Sequence, residues 1–230
     1  MTDTTTADVS DRPTQIAIAV YPDLTVLDVI GPYQVLTLVP DAEVVLCAAE
    51  RGRVTDDNGL LHLDVEHDFT DVPTPDVLLV GGGFGTRRLM HEDAPIVEWI
   101  RAAHPTTTWT TSVCTGSLLL GAAGVLDGLE ATTHWNFTRY LEQFGATYSP
   151  QRVVEQGRVI TAAGVSSGID MALGLVARLR GDDVARAVQL GIEYDPQPPF
   201  DAGHPRVAPP EIVELVSAVM DAEEAKLLAG

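Results

Sequence analysis

Thr110-Thr111-Ser112-Val113-Cys114-Thr115-Gly116-Ser117-Leu118-Leu119 runs a β-branched stretch straight into a short apolar helix former, with a cysteine at the corner. This is the layout of a nucleophile elbow, with Cys in the place of Ser. Gly116, two residues after the cysteine, lets the following helix pack closely. Such a corner presents its side chain at the carboxyl end of a sheet, where open α/β sheets bind ligands. A helix N-terminus beside it would favour a thiolate, and such settings bring a Cys pKa from about 8.5 down to about 3.5–7.5. The competing reading is a buried structural thiol. That reading suits the second cysteine, Cys47, which lies mid-strand among apolar residues with no elbow around it.

Outward from the elbow, strand and helix signals alternate. Residues 15–20 and 43–48 read as strands. Residues 76–80 form the continuous apolar run of a buried parallel strand, and residues 106–111 lead to the elbow as another. Apolar spacing between 25 and 39 is helical. Gly31-Pro32 interrupts it, and since Pro is best tolerated in a first turn, the helix is expected to begin near Gly31, with Asp28 in the turn before it. Helices are further expected over 93–103 (N-cap Asp93, Pro95 in the first turn), 118–123, 136–144 (ended by Gly145), 167–179, 182–190 and 211–228. Asn58-Gly59 predicts a hairpin between 53–55 and 60–65, and Gln156-Gly157 predicts another within 152–161. The alternation implies an α/β fold with a mostly parallel sheet and helices on both faces. Residues 14–230 are expected to form a single domain behind a disordered leader, 1–13. The Pro-rich stretch 194–210 reads as a long loop at the surface or at a partner subunit.

Composition narrows the function classes. The 230 residues are 45% hydrophobic, which suffices for a full core. A formal net charge of −19, with arginines scattered along the chain, argues against nucleic-acid binding. No run approaches the ~20 apolar residues of a membrane helix, and the N-terminus lacks the basic and apolar regions of a secretory signal. Two cysteines without disulfide or zinc spacing predict the cytoplasm. Lys226 is the single lysine among 14 basic residues. Such a composition suits a halophilic source or a GC-rich genome; refolding that improves in molar salt would favour the halophile.

Two further features bear on chemistry. Gly81-Gly82-Gly83-Phe84-Gly85 follows a predicted buried strand, and Gly82 and Gly83 are the expected oxyanion or substrate-binding donors. The run is not a dinucleotide fingerprint, because the helix and the acidic residue such a motif needs are poorly placed. His134 would make a reasonable Cys–His dyad on chemical grounds alone; a capping or structural role beside the site is the other reading. His62 and His67 lack a third ligand, so no metal is expected.

Three stretches carry a family resemblance. They are Leu27-Asp28-Val29-Ile30-Gly31-Pro32; Ser112-Val113-Cys114-Thr115-Gly116-Ser117 with Ala131-Thr132-Thr133-His134-Trp135; and Ile192-Glu193-Tyr194-Asp195-Pro196-Gln197-Pro198-Pro199-Phe200. Together they resemble the ThiJ/PfpI superfamily, and within it the isocyanide (isonitrile) hydratase branch. The resemblance implies a flavodoxin-like three-layer sandwich and a catalytic set of Cys114 as nucleophile, Asp28 as acid/base and Thr115 beside the sulfur. It further implies no cofactor, a small-molecule substrate and a homodimer. Thr115 stands where PfpI-type peptidases carry His, which argues against peptidase activity. The implied reaction is hydration of R–N≡C to a formamide through a thioimidate on Cys114, with Asp28 delivering a proton and later activating water. Competing expectations are a glyoxalase- or deglycase-like enzyme, a redox sensor, and a ligand-binding domain of the kind found in AraC-type regulators.

Overall fold

The computed structural model describes residues 12–229 apart from residue 92. The expected leader therefore lies almost wholly outside the described residues. Its last members do not float: the Arg12 guanidinium donates to both carboxylate oxygens of Asp76, at 2.6 and 2.8 Å.

The chain opens with β1 (Thr14–Ala19), α1 (Val26–Leu36) and β2 (Ala42–Ala48). The hairpin β3 (Gly52–Thr55) and β4 (His62–Val65) follows, then the two-residue β5 (His67–Asp68), β6 (Val77–Val80), α2 (Thr86–Leu89) and α3 (Pro95–Ala103). β7 (Trp109–Val113) leads into α4 (Gly116–Ala122). Short β8 (Glu130–Ala131) and β9 (Thr147–Tyr148) flank two 3-10 turns, Trp135–Tyr140 and Glu142–Phe144. β10 (Val153–Gln156), β11 (Val159–Ala162), α5 (Ser167–Arg180), α6 (Asp182–Gly191) and α7 (Pro210–Ala229) complete it. The main sheet has the order β10-β11-β7-β6-β1-β2-β5. Every pair in it is parallel except β10–β11 at the edge. With helices on its faces, this is the expected flavodoxin-like α/β sandwich. β1, β6 and β7 are central, and Ile16, Ile18, Leu78, Leu79 and Val113 are fully buried between the layers.

Several boundaries differ from expectation. α1 begins at Val26, not near Gly31, and holds Pro32 inside it. The Gly-Pro pair is a contact surface: Gly31 lies against Ile169 and Pro32 against Gly168 of α5. That packing offsets the backbone bond the proline cannot make, and it puts Asp28 in the first turn of α1. The strand before the elbow starts only at Trp109. Thr106 and Thr107 turn their hydroxyls back to the carbonyls of Ala103 and His104, closing off α3 in a 3-10 turn. Ala94, not Asp93, occupies the N-cap of α3, without a side-chain bond. β4 starts at His62 because Asp56 Oδ1 accepts the N–H groups of Leu60 and Leu61 and draws them into the turn. The helix expected over 136–144 is the pair of 3-10 turns, ended by Gly145 at φ +73°. Among the described residues no helix is long and apolar enough to cross a membrane.

Candidate active site

Cys114 follows β7 directly and adopts φ +58°, a left-handed conformation that non-glycine residues rarely hold. Its N–H donates back to the carbonyls of Ala162 and Ala163 at the end of β11, so the corner is tied to the sheet. The close approach expected of Gly116 is present: a Cβ there would lie 2.2 Å from the Val80 carbonyl oxygen. The sulfur lies beside the Thr115 N–H and the Asp28 carboxyl, both of which shift its titration, while the Thr115 hydroxyl donates to the Gly83 carbonyl at 3.2 Å.

Asp28 is fully buried. The Gly82 N–H donates to its Oδ2 at 3.0 Å. No nitrogen or hydroxyl donor among the described residues reaches its Oδ1. Burial pushes its pKa up to about 8, against the lowering effect of the bonds from Cys114 and Gly82; the charge of Asp57 adds to the rise. The thiol does not follow the sequence expectation of a depressed pKa. Burial holds Cys114 well above the ordinary thiol value, the adjacent Asp28 adds to this, and Thr115 offsets only part of it. The partial charge at the start of a seven-residue helix does not overcome desolvation. At neutral pH the pair therefore rests as a neutral carboxylic acid against a neutral thiol. Tyr21, also buried, closes the back of the site by donating to the Gly81 carbonyl at 2.7 Å.

The glycine loop lies against the side chains of Asp28 and Thr115. The Gly82 N–H is engaged with Asp28, and the Gly83 N–H donates to Thr115 Oγ1 at 3.0 Å. Both donors are engaged within the protein, one with the Asp28 carboxyl and one with the Thr115 hydroxyl. Close approach demands glycine at 82: a Cβ there would stand 2.5 Å from the Thr115 nitrogen and 2.8 Å from Cys114 Cβ. Buried Thr86, which the sequence did not single out, completes the cluster. Its hydroxyl donates to the Gly83 carbonyl at 2.7 Å and lies 3.1 Å from Thr115 Oγ1.

Above the sulfur opens a mainly apolar pocket. Phe84, Phe137, Val165 and Met220 give it apolar walls, and Thr25 and Arg87 add polar ones. Met220 comes from α7, which Glu224 anchors: its carboxylate accepts from Arg139 at 2.9 Å and from the Tyr140 hydroxyl at 3.0 Å, and it pairs with Arg87. His134 also lines the pocket, as a capping residue. Its Nδ1 accepts the Asn136 N–H at 3.3 Å, and burial lowers its pKa to about 4, so the ring is neutral. No sulfur bond to it is present. Cys47 sits near the end of β2, fully buried, with one weak bond from its thiol to the Ile18 carbonyl; burial raises its pKa to about 12. His62 and His67 take part in no metal-ligating cluster among the described residues.

Comparison with known proteins adds four findings. Residues 14–178 match the model of the DJ-1/PfpI family. The chain is 44% identical over 200 residues to an isonitrile hydratase of Pseudomonas putida, covering 87% of each chain. It is 29% identical over 152 residues to the HTH-type transcriptional regulator CdhR of Pseudomonas aeruginosa, covering 64% of this chain but 43% of that one. In structure it is similar to a ThiJ/PfpI family protein from Pseudomonas syringae, with a TM-score of 0.88 and 35% identity over 98% of this chain and 95% of that one.

Proposed function

This chain belongs to the DJ-1/PfpI family, and from that premise we propose that it is a cofactor-independent isocyanide hydratase with Cys114 as nucleophile. The observation that carries the reading is the Asp28–Cys114 contact beneath an apolar pocket. The 44% identity to a relative named isonitrile hydratase supports the same reaction. The substituent of an isocyanide such as the cyclohexyl compound is apolar, and its terminal carbon must gain both a nucleophile and a proton. A resting carboxylic acid beside a thiol offers both.

In the first half, Asp28 gives its proton to the isocyanide carbon, the sulfur bonds to that carbon, and the thiol proton passes to Asp28. The product is a thioimidate, Cys114–S–CH=N–R, with Asp28 again protonated. No charged thiolate has to stand alone in the buried site. The Thr115 N–H holds the sulfur's electron density as the bond forms. In the second half Asp28 protonates the nitrogen, water adds to the carbon, and the C–S bond breaks to release R–NH–CHO and the thiol.

The raised thiol pKa weighs against a redox sensor, which depends on an exposed thiolate. A cytoplasmic homodimer is part of the proposal on resemblance alone; sedimentation as a monomer at micromolar concentration would remove that part. The reading is tested with cyclohexyl isocyanide, following the formamide product. Wild type should turn it over and Cys114→Ala should not; a folded wild type without turnover would overturn it.

A further inference from the structure

The second half of that reaction needs a base for water, and Asp28 is poorly disposed to be one. It is the acid of that step, occupied in passing its proton to the nitrogen while the water loses one. The pocket wall offers another group. Thr25 lines the pocket together with Cys114. Its hydroxyl donates to Asp57 Oδ2 at 2.6 Å, a charge-assisted bond that commits its one proton. The oxygen is then left with lone pairs only, and it can act toward the pocket as an acceptor. The other polar side chains of the pocket are differently placed: the Arg87 guanidinium is paired with Glu224, His134 has its Nδ1 occupied, and the Thr86 and Thr115 hydroxyls donate to the Gly83 carbonyl, with no carboxylate behind them.

Asp57 is fixed for this arrangement from several sides. Asn58 donates to its Oδ1 at 2.8 Å, its own N–H donates to the Leu24 carbonyl at 3.0 Å, and the Thr25 N–H donates to the Gly82 carbonyl at 2.9 Å. The β3–β4 turn, which the Asn-Gly signal explains as a hairpin and nothing more, is thereby pinned to the loop that precedes α1. A half-buried carboxylate at the tip of a hairpin reaches the wall of the pocket through one hydroxyl.

Resting on the hydratase reading, we propose that Thr25 holds the hydrating water and relays its proton to Asp57. Thr25 is the catalytic residue of this step and Asp57 the positioning residue that acts through it. Water donates to Thr25 Oγ1; as the water oxygen bonds to the thioimidate carbon, its proton moves to Thr25 while the Thr25 proton moves to Asp57. The Asp28 proton goes to nitrogen. When the C–S bond breaks, its electron pair stays on sulfur, the hydroxyl proton returns to Asp28, Asp57 loses its proton to solvent and the sulfur takes one up. Two carboxylates of different environment thus divide the work, Asp28 as acid and Asp57 as base.

The test follows the covalent species by intact mass. Wild type, Thr25→Val, Thr25→Ser and Asp57→Asn are mixed with cyclohexyl isocyanide, quenched in acid and weighed, with formamide measured in parallel. Thr25 makes no side-chain cap bond to α1, so Thr25→Val leaves the helix start intact. Thr25→Val and Asp57→Asn should lose about 10²–10⁴-fold in formamide production, the usual contribution of a general base. They should accumulate protein heavier by one isocyanide, while Thr25→Ser stays near wild type and accumulates none. Iodoacetamide should alkylate Cys114 at wild-type rates in every variant, which separates loss of the base from a disturbed nucleophile. Turnover by Thr25→Val or Asp57→Asn within threefold of wild type would overturn the relay, as would loss of product without adduct. A wild type that forms no formamide overturns the hydratase reading and the relay with it, whereas failure confined to the variants' behaviour overturns the relay alone.

Discussion

The two cysteines of this chain are both buried, and burial raises the pKa of each. They differ in what lies around the sulfur. Cys47 is in a regular strand, with a single weak bond to a carbonyl and packed side chains on every side. Cys114 is on a strained corner, with the Thr115 N–H and the buried Asp28 carboxyl beside it and a pocket above it. A low thiol pKa is therefore not what sets Cys114 apart. On the proposed reading, its reactivity rests on a partner that exchanges protons with the sulfur during the reaction, so that charge never accumulates in a dry site.

The sharpest break of this contrast is substitution of each cysteine in turn. Cys114→Ala should abolish isocyanide turnover, by 10³-fold or more given what positioned nucleophiles and acids contribute. Cys47→Ala should leave turnover within about twofold and lower stability by about 1 kcal/mol, read from urea denaturation. Asp28→Asn should follow at about 10²–10⁴-fold loss in turnover, since the amide keeps the Gly82 bond but has no proton to deliver.

The same substitution sharpens the contrast through stability. Folded Asp28 keeps its proton to about pH 8, whereas an unfolded carboxyl loses it near pH 4. Folding thus takes up a proton between these values, and wild-type stability falls as pH rises from about 4 to about 8. At pH 7 the cost is on the order of 4 kcal/mol. Asp28→Asn should therefore gain stability over wild type progressively from pH 4 to 8, with no further gain above; parallel curves for the two proteins would contradict the raised pKa. A smaller effect is expected at Gly82→Ala. Its Cβ would press on Thr115 and Cys114, which should cost about 1–3 kcal/mol and slow iodoacetamide alkylation of Cys114.

Much of this contrast was legible in the sequence. The Thr-Thr-Ser-Val-Cys-Thr-Gly-Ser run carries its strand, its corner and its helix locally, because β-branched residues, a small residue after the turn and an apolar helix follow one another without a gap. The parallel sheet was legible for a similar reason: residues 76–80 are continuously apolar. Long-range geometry was not. Asp28 was placed before a helix because Gly31-Pro32 reads locally as a helix start; only the packing of that pair on α5 puts it inside α1. The glycine loop was legible as a close approach, but not what it approached. Thr86 gives no local signal, since its partners are more than 25 residues away except for the Gly83 carbonyl. Asp57 was hidden by its own turn motif, which accounts for an acidic residue there without reference to Thr25. The thiol pKa was misread because an elbow in sequence shows the helix behind it but not the depth at which the corner is buried.

The claim at the centre of this account is that Asp28 rests as a carboxylic acid against Cys114. Infrared difference spectra of wild type minus Asp28→Asn test it directly. A protonated carboxyl C=O band should be present at pH 6 and 7, vanish in the variant, and titrate away with a midpoint of about 8. Absence of that band at pH 6, with a carboxylate signal in its place, would contradict the account and return the proton to the thiol alone.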